Sequence, residues 1–297
     1  MAAVKAQLKA ELALDAKATL GEGPVWHARR KKLCWVDILE GKLHEFDPLS
    51  GHDRAFDTGQ FIGNLAIRKK GGLILGLQHG FAFFDWRTKK IMPICKPDTA
   101  HPQNRFNDGK CDPAGRFWAG TMNLNARRGD GRLFCLDENL KVRSVLQNLS
   151  IPNGLAWSKD AQTMFFIDSA RQIIWAFDYN QETGMIRNRR VIVRIPKREG
   201  VPDGMTMDNE GMLWVALWGG GKIARWNPKN GKKLQIIHLP VSLVTSCAFG
   251  GSSLDVLFIT SARTSLRQNA LRQEPLAGGI FRVSPGVSGI VDCLFAG

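Results

Sequence analysis

The chain has 297 residues, 44% of them hydrophobic, with a mean hydropathy of −0.17. That is ordinary for a soluble globular protein, and no run approaches the ~18 apolar residues of a membrane span. The formal charge is +14, from 41 Lys and Arg against 27 Asp and Glu, yet no nucleic-acid motif accompanies it.

Residues 1–14 carry two lysines but no continuous apolar core, so no signal peptide is expected. Six scattered cysteines without a CxxC, several inside apolar runs such as Leu33-Cys-Trp35, read as reduced core thiols of a cytoplasmic protein. Residues 7–19 alternate weakly and read as one strand. Short apolar runs then recur, punctuated by turns every eight to ten residues. Pro24-Val-Trp26, Leu33-Cys-Trp-Val-Asp-Ile38, Lys42-Leu-His-Glu-Phe46 and Arg54-Ala-Phe56 form a four-stranded meander. Leu65-Ala-Ile67, Leu73-Ile-Leu-Gly-Leu77 and Phe81-Ala-Phe-Phe84 repeat it. Phe117-Trp-Ala-Gly-Thr121 and Leu133-Phe-Cys-Leu136 follow, then Met164-Phe-Phe-Ile167 with Ile173-Ile-Trp-Ala-Phe177, and Leu213-Trp-Val-Ala-Leu217 with Ile223-Ala-Arg-Trp226. The last group holds Val256-Leu-Phe-Ile259, a polar insertion at 260–277, Gly279-Ile-Phe-Arg-Val283, and a tail at 290–294 that reads as its outer strand; whether this tail or the N-terminal strand closes the ring is left open by the sequence. Helical periodicity is nearly absent. The basic residues fall on predicted turns, as in Arg29-Arg-Lys-Lys32 and Arg68-Lys-Lys70. They look scattered, which suits a solvated surface without a nucleic-acid partner.

Three stretches share a register: Leu20-Gly-Glu-Gly-Pro-Val-Trp26, Ile151-Pro-Asn-Gly-Leu-Ala-Trp157 and Val201-Pro-Asp-Gly-Met-Thr-Met207. Ile67, Cys111 and Phe249 extend it to six anchors, at steps of 41 (67 − 26), 44 (111 − 67), 46 (157 − 111), 50 (207 − 157) and 42 (249 − 207). A period in this range, built of short strands, predicts one all-β domain over 1–297, a six-bladed β-propeller. Four residues before the anchors stand Glu22, Gly63, Asn107, Asn153, Asp203 and Thr245. If the anchored runs are the inner strands, Glu22, Asn153 and Asp203 meet at one mouth of the channel. Two carboxylates and an amide oxygen there suit a hard divalent cation, although Asn, Asp and Gly are also common turn residues. Asp37 and Asp168, each 11 after its anchor, either support that mouth or close strand-end turns.

Gly21-Glu-Gly-Pro-Val-Trp26, Arg105-Phe-Asn-Asp-Gly-Lys110, Asp112-Pro-Ala-Gly-Arg-Phe-Trp-Ala-Gly-Thr-Met122, Asn153-Gly-Leu-Ala-Trp157 and Pro202-Asp-Gly-Met205 resemble the family of regucalcin (senescence marker protein), gluconolactonase and luciferin-regenerating enzyme. The resemblance spans about 21–297. It implies metal ligands at Glu22, Asn153 and Asp203, the same three that the register selects, and substrate contacts at Arg105 and Asn107. Where regucalcins carry a glutamate after the Ala-Gly-Thr-Met motif, this chain has a shorter loop with Asn125 nearest, so sugar specificity does not transfer.

The expected reaction is hydrolysis of a sugar lactone to its aldonic acid by water activated at one divalent ion (Ca2+, Zn2+, Mn2+ or Mg2+). Asp203 is the expected proton acceptor, and Arg105, Asn107 and Asn125 the expected substrate contacts. No Gly-x-Ser-x-Gly occurs and the six histidines show no paired metal spacing. A calcium-binding regulatory protein without turnover, a phosphotriester hydrolase at the same site, and a propeller serving only as an interaction platform are the alternatives. The protein is expected to be a monomer, with no membrane partner.

Overall fold

The computed structural model describes residues 8–297; the expectations for residues 1–7 lie outside the described part. Twenty-four strands form six antiparallel sheets of four. After β1 (Glu11–Leu14), blade one contains β2 (Gly21–His27), β3 (Lys32–Asp37), β4 (Lys42–Phe46) and β5 (Asp53–Asp57). Blade two contains β6 (Ile62–Ile67), β7 (Leu73–Leu77), β8 (Gly80–Asp85) and β9 (Lys90–Cys95). Blade three contains β10 (Asn104–Cys111), β11 (Phe117–Asn123), β12 (Gly131–Leu136) and β13 (Val142–Leu149). Blade four contains β14 (Pro152–Trp157), β15 (Thr163–Asp168), β16 (Ile173–Tyr179) and β17 (Ile186–Arg194). Blade five contains β18 (Val201–Met207), β19 (Leu213–Trp218), β20 (Lys222–Trp226) and β21 (Lys233–His238). Blade six contains β22 (Val244–Gly250), β23 (Val256–Ser261) and β24 (Ile280–Val283), and its insertion holds the short helix α1 (Gln268–Gln273).

All six anchors lie on the first strand of their sheets. These strands touch in the order β2, β6, β10, β14, β18, β22, and β22 returns to β2. The chain is therefore a closed six-bladed propeller. The core is not one mass but six apolar seams, one between each pair of neighbouring blades. Strand alternation feeds two seams at once. Leu33 and Trp35 of β3 pack toward blade six, while Cys34 and Val36 pack toward blade two. Trp214 and Ala216 of β19 face blade six, and Leu213, Val215 and Leu217 face blade four. Both faces being buried, these strands read as continuous apolar runs, without a polar side.

Closure, open in the sequence between the N-terminal segment and the tail, is made by the N-terminal segment. The outer strand of blade six is β1, paired antiparallel to β24 with Leu12 opposite Phe281. The 290–294 tail is not that strand. It crosses the far end of the channel, and its backbone bonds single residues of other blades: Phe295 N–H to the Ile67 carbonyl at 2.8 Å and Ala296 N–H to the Gly115 carbonyl at 2.9 Å. Phe295 is fully buried in the seam of blades two and three. The first strand satisfies the free edge of β24, so the last segment is left to seal the base.

Every inner strand breaks register at the slot the sequence singled out: between Glu22 and Val25, Ile62 and Asn64, Phe106 and Gly109, Asn153 and Leu155, Pro202 and Met205, and Val244 and Ser246. Such bulges re-aim a side chain at a sheet edge. The Asn153-Gly154 and Asp203-Gly204 pairs thus lie inside strands, not in turns. Their glycines permit close approach around the axis. A Cβ on Gly204 would sit 2.0 Å from Ser246 Oγ, and one on Gly154 would sit 2.7 Å from Met205 Cβ.

Asp37 and Asp168 tie the connection into each inner strand. Asp37 accepts the N–H groups of Thr19 (2.7 Å) and Leu20 (3.0 Å). Asp168 accepts those of Ser150 (3.2 Å) and Ile151 (3.0 Å). They hold the chain just ahead of Glu22 and Asn153. At the opposite end Asp112 and Asp208 accept the indole N–H of Trp118 (2.9 Å) and Trp214 (2.8 Å) and fix the first turn of blades three and five.

Gly204→Ala forces the new methyl group into Ser246 and is expected to cost about 1–3 kcal/mol, as overpacking does. Ser246→Gly in the same chain should recover most of the loss, because it removes the opposing Cβ and Oγ. Urea unfolding of the two single variants and the double variant checks this. Equal stability of wild type and Gly204→Ala would contradict the close approach.

Candidate active site

Antiparallel pairing sets where functional groups gather. Each inner strand begins at one mouth, and the turns after the second strands return there. One of these, the 3-10 turn Ser169–Arg171, places Ser169 against Asn153. The bulges on β2, β14 and β18 bring Glu22, Asn153 and Asp203 to this end, all three buried. Asn153 Nδ2 donates to Asp203 Oδ1 in a short bond and to Ser169 Oγ at 3.1 Å. Ser169 Oγ passes the link to the Pro202 carbonyl at 2.6 Å. The blade-four amide and the blade-five carboxylate are thereby locked to each other. Glu22 joins them electrically: burial, then Asp203 and Asp108, push its carboxyl well above the usual range. Asp203 is also raised well above it, by burial and then by Asp108.

Blade three supplies the counter-charge. Arg105 is buried, and burial lowers its guanidinium to about 10 while Glu22 and Asp203 pull it back up. Its Nη1 donates to the Phe106 carbonyl at 2.8 Å and to Asn107 Oδ1 at 2.9 Å. Asn107 Nδ2 donates to the Pro152 carbonyl at 2.9 Å, joining blade three to blade four. Asn64 Nδ2 donates to the Asn107 carbonyl at 2.7 Å, leaving Asn64 Oδ1 buried without a partner among the described residues. Asn125 stands apart. It is exposed in the β11–β12 loop, its N–H bonded to Asn123 Oδ1 at 2.9 Å, and no side-chain bond ties it to the buried group.

Sequence reasoning passed over Asp108. It occupies the bulge beside Asn107, only partly exposed, and burial pushes it up to about 6 with Lys110 pulling back. The register admitted one residue per blade and the slot fell on Asn107, but Asp108 stood next to it in the quoted Arg105-to-Lys110 motif. Lys110 follows toward the base, its Nζ 3.3 Å from the Met205 carbonyl and 3.8 Å from Asp292 of the tail. The channel thus runs from two carboxylates and a guanidinium, past a third carboxylate, to an ammonium under the tail.

A hard divalent cation fits this donor set. Asp203 raises the proton affinity of buried Glu22, Asp203 is itself buried, and Asn153, whose Nδ2 faces Asp203, carries an amide oxygen that accepts the Gly154 N–H at 3.2 Å, so the group can offer three hard oxygens. Among the described residues no three His, Cys, Asp or Glu side chains group closely enough to hold a metal without such an amide.

A six-bladed propeller with an acidic, arginine-bearing channel mouth defines the class of protein. The chain belongs to the SMP-30/gluconolactonase/LRE-like family, whose model matches residues 20–263. It is 40% identical to regucalcin of Gallus gallus over 284 residues, 94% of this chain and 95% of that one. It is 36% identical over 290 residues, 98% of this chain and 99% of the other, to YvrE of Bacillus subtilis, whose name assigns it provisionally as a sugar lactone lactonase. Among solved structures, regucalcin of Agrobacterium tumefaciens, described as a calcium-binding protein, superposes with a TM-score of 0.93 at 27% identity, covering 97% of this chain and 98% of that one.

The raised carboxyl groups make stability pH-dependent when no divalent ion is present. Native Asp108 keeps its proton to about 6, whereas an unfolded aspartate releases it near its ordinary value of 3.8. Between these points the native state binds more protons than the unfolded one, so stability is full below the lower value and falls as pH rises through the upper. Urea unfolding with chelator across this range should show the decline, and Asp108→Asn should make it shallower. A slope unchanged by that substitution would remove Asp108 from the account.

Proposed function

We propose that this protein hydrolyses a sugar lactone to its aldonate with a divalent ion held by Glu22, Asn153 and Asp203. The observation that carries the reading is the convergence of two buried, mutually repelling carboxylates and an amide beside a buried guanidinium. The names of the relatives agree with it: lactonases on one side, a calcium-binding protein on the other.

A divalent ion at those oxygens supplies positive charge that polarises a carbonyl and makes nearby water more acidic. The chain's own groups do the rest. Asp203 has its proton affinity raised by burial, which suits it to take the proton of the attacking water. The new C–O bond forms at the lactone carbonyl carbon, the ring C–O bond breaks, and the proton returns to the ring oxygen as it leaves as a hydroxyl. Arg105 donates to oxygens that gain negative charge, and Asn107, fixed by the Pro152 carbonyl and by Arg105, keeps that guanidinium aimed. Asn125, at the rim, contacts the sugar's distal hydroxyls only if its exposed loop folds inward over the bound substrate. An amide there offers both donor and acceptor, so sugar preference broadens relative to a carboxylate. Water is the nucleophile, and no acyl-enzyme forms.

An acid-release assay on a panel of five- and six-membered aldonolactones, after chelation and readdition of Ca2+, Zn2+, Mn2+ or Mg2+, tests the proposal. Arg105→Ala should lose about 10²–10³-fold in turnover while retaining the ion, the effect of removing one preorganised donor. Asp203→Ala should lose both the ion and at least ~10²-fold in rate. Wild-type rates equal to spontaneous hydrolysis with every ion would discard the enzyme and leave a calcium-binding protein without turnover.

A further inference from the structure

A groove of about 570 Å3 lies at the end opposite the channel mouth, between the first turns of blades one and two, with the tail as one wall. That size exceeds what a simple inorganic ion needs and falls within the range of organic ligand sites.

Its rim is basic. Arg29, Arg30, Arg68, Lys69, Lys70 and Arg87 line it, against Asp85 and Asp292. The basic turns that looked scattered along the chain are therefore brought together by the ring. Arg30 is held by Glu45 at 2.8 Å, and Arg68 bonds the Gly297 and Gly71 oxygens at 3.3 and 3.4 Å. Arg29, Lys69, Lys70 and Arg87 have no carboxylate within 4.0 Å among the described residues. The two acids are already engaged. Asp85 accepts the N–H groups of Arg87 (2.7 Å) and Thr88 (3.1 Å), and Asp292 lies 3.8 Å from Lys110. The repeat accounts for the excess. Where blades three and five place the turn-closing Asp112 and Asp208, blades one and two carry His27 and Arg68.

The floor is apolar and partly flat. Trp26 and Ile67 reach it only by an edge, Trp26 being 6% exposed and stacked on Phe258, whereas Trp86 is half-buried with Arg54 over its ring at 4.3 Å and Leu294 beside it. Met92 and Val291, also in the lining, are 45% and 61% exposed and put apolar surface beside the charged rim. The indole N–H of Trp86 is buried and has no acceptor. A ligand that answers these features has several anionic oxygens for the rim and a planar body for the exposed part of the Trp86 indole.

We propose that this groove is a second binding site, independent of the channel, that takes an organic polyphosphate with a heteroaromatic ring, of the nucleoside triphosphate class. The phosphates lie on Arg29, Lys69, Lys70 and Arg87, and the ring lies against the exposed part of Trp86.

Calorimetric titration at ~0.15 M salt tests it with adenosine triphosphate, inorganic tripolyphosphate and adenosine, the two phosphates as magnesium complexes. The expected result is that the nucleotide binds about ten- to a hundredfold more tightly than tripolyphosphate, the gain a stacked ring provides, and that adenosine alone binds weakly. Charge reversal at Lys69, Lys70 and Arg87 together should abolish binding without moving the thermal midpoint. Trp86→Phe keeps the packing and should narrow the gap between nucleotide and tripolyphosphate. Asp203→Ala, titrated in parallel, should bind the nucleotide as wild type does. The proposal is overturned if the nucleotide fails to bind, if tripolyphosphate binds equally well, if the charge-reversed protein still binds, or if Asp203→Ala loses binding, which would place the phosphates in the channel.

Discussion

Burial of like charge at the axis is the constraint around which the molecule is arranged. Burial, Asp203 and Asp108 raise the proton affinity of Glu22, burial and Asp108 raise that of Asp203, and Arg105 is the guanidinium that opposes both. Three carboxyl groups on a flexible frame would move apart or into water. They are held because each sits on a different inner strand or bulge of a closed ring, and separating them means opening a seam. The short bond from Asn153 to Asp203 and the bond from Asn107 to the Pro152 carbonyl link three successive blades at this level. Closure by β1 on β24 is thus a condition of the site as well as of the fold.

The sequence revealed the ring because its period is long and its inner strands share one shape. Glu22, Asn153 and Asp203 were visible through a physical coincidence: each precedes a glycine, Gly154 and Gly204 because a Cβ there has no room, Gly23 because its φ of +53° lies in the left-handed region. That regularity concealed Asp108. Blade three has an eight-residue inner strand whose bulge spans two residues, and a one-residue slot reports only Asn107. The tail misled for another reason. Ile290 to Leu294 is a short, mostly apolar run of strand length, but the residue that fixes the segment is Phe295, buried in the seam of blades two and three, far away in sequence. No local pattern carries that information. Asn125 was selected by comparison of loops, and a loop's exposure is set by its own turns.

Charge shows the same limit. The basic turns belong to separate repeats and looked evenly spread in sequence. In the ring, the turns of blades one and two are neighbours, and the blades that keep their turn aspartates lie elsewhere. A rule local to each blade, whether the first turn closes on an acid, becomes a property of one sector of the base.

The two ends of the molecule therefore differ in sign, and this bears on the proposed reaction. In that proposal the substrate is a neutral lactone and the product a carboxylate. A mouth lined by Glu22, Asp203 and Asp108 has little net field on a neutral ring, so entry depends on shape and on hydrogen bonds to Arg105. Ring opening creates a negative charge against those same carboxylates, which disfavours the product relative to the substrate unless a cation and Arg105 hold it. Once the aldonate leaves the mouth it meets a surface with a net charge of +14, screened within roughly 8 Å at physiological salt. The local field favours release and the distant field is too screened to recapture the product, so a strongly basic protein can still discharge an anion from an acidic site.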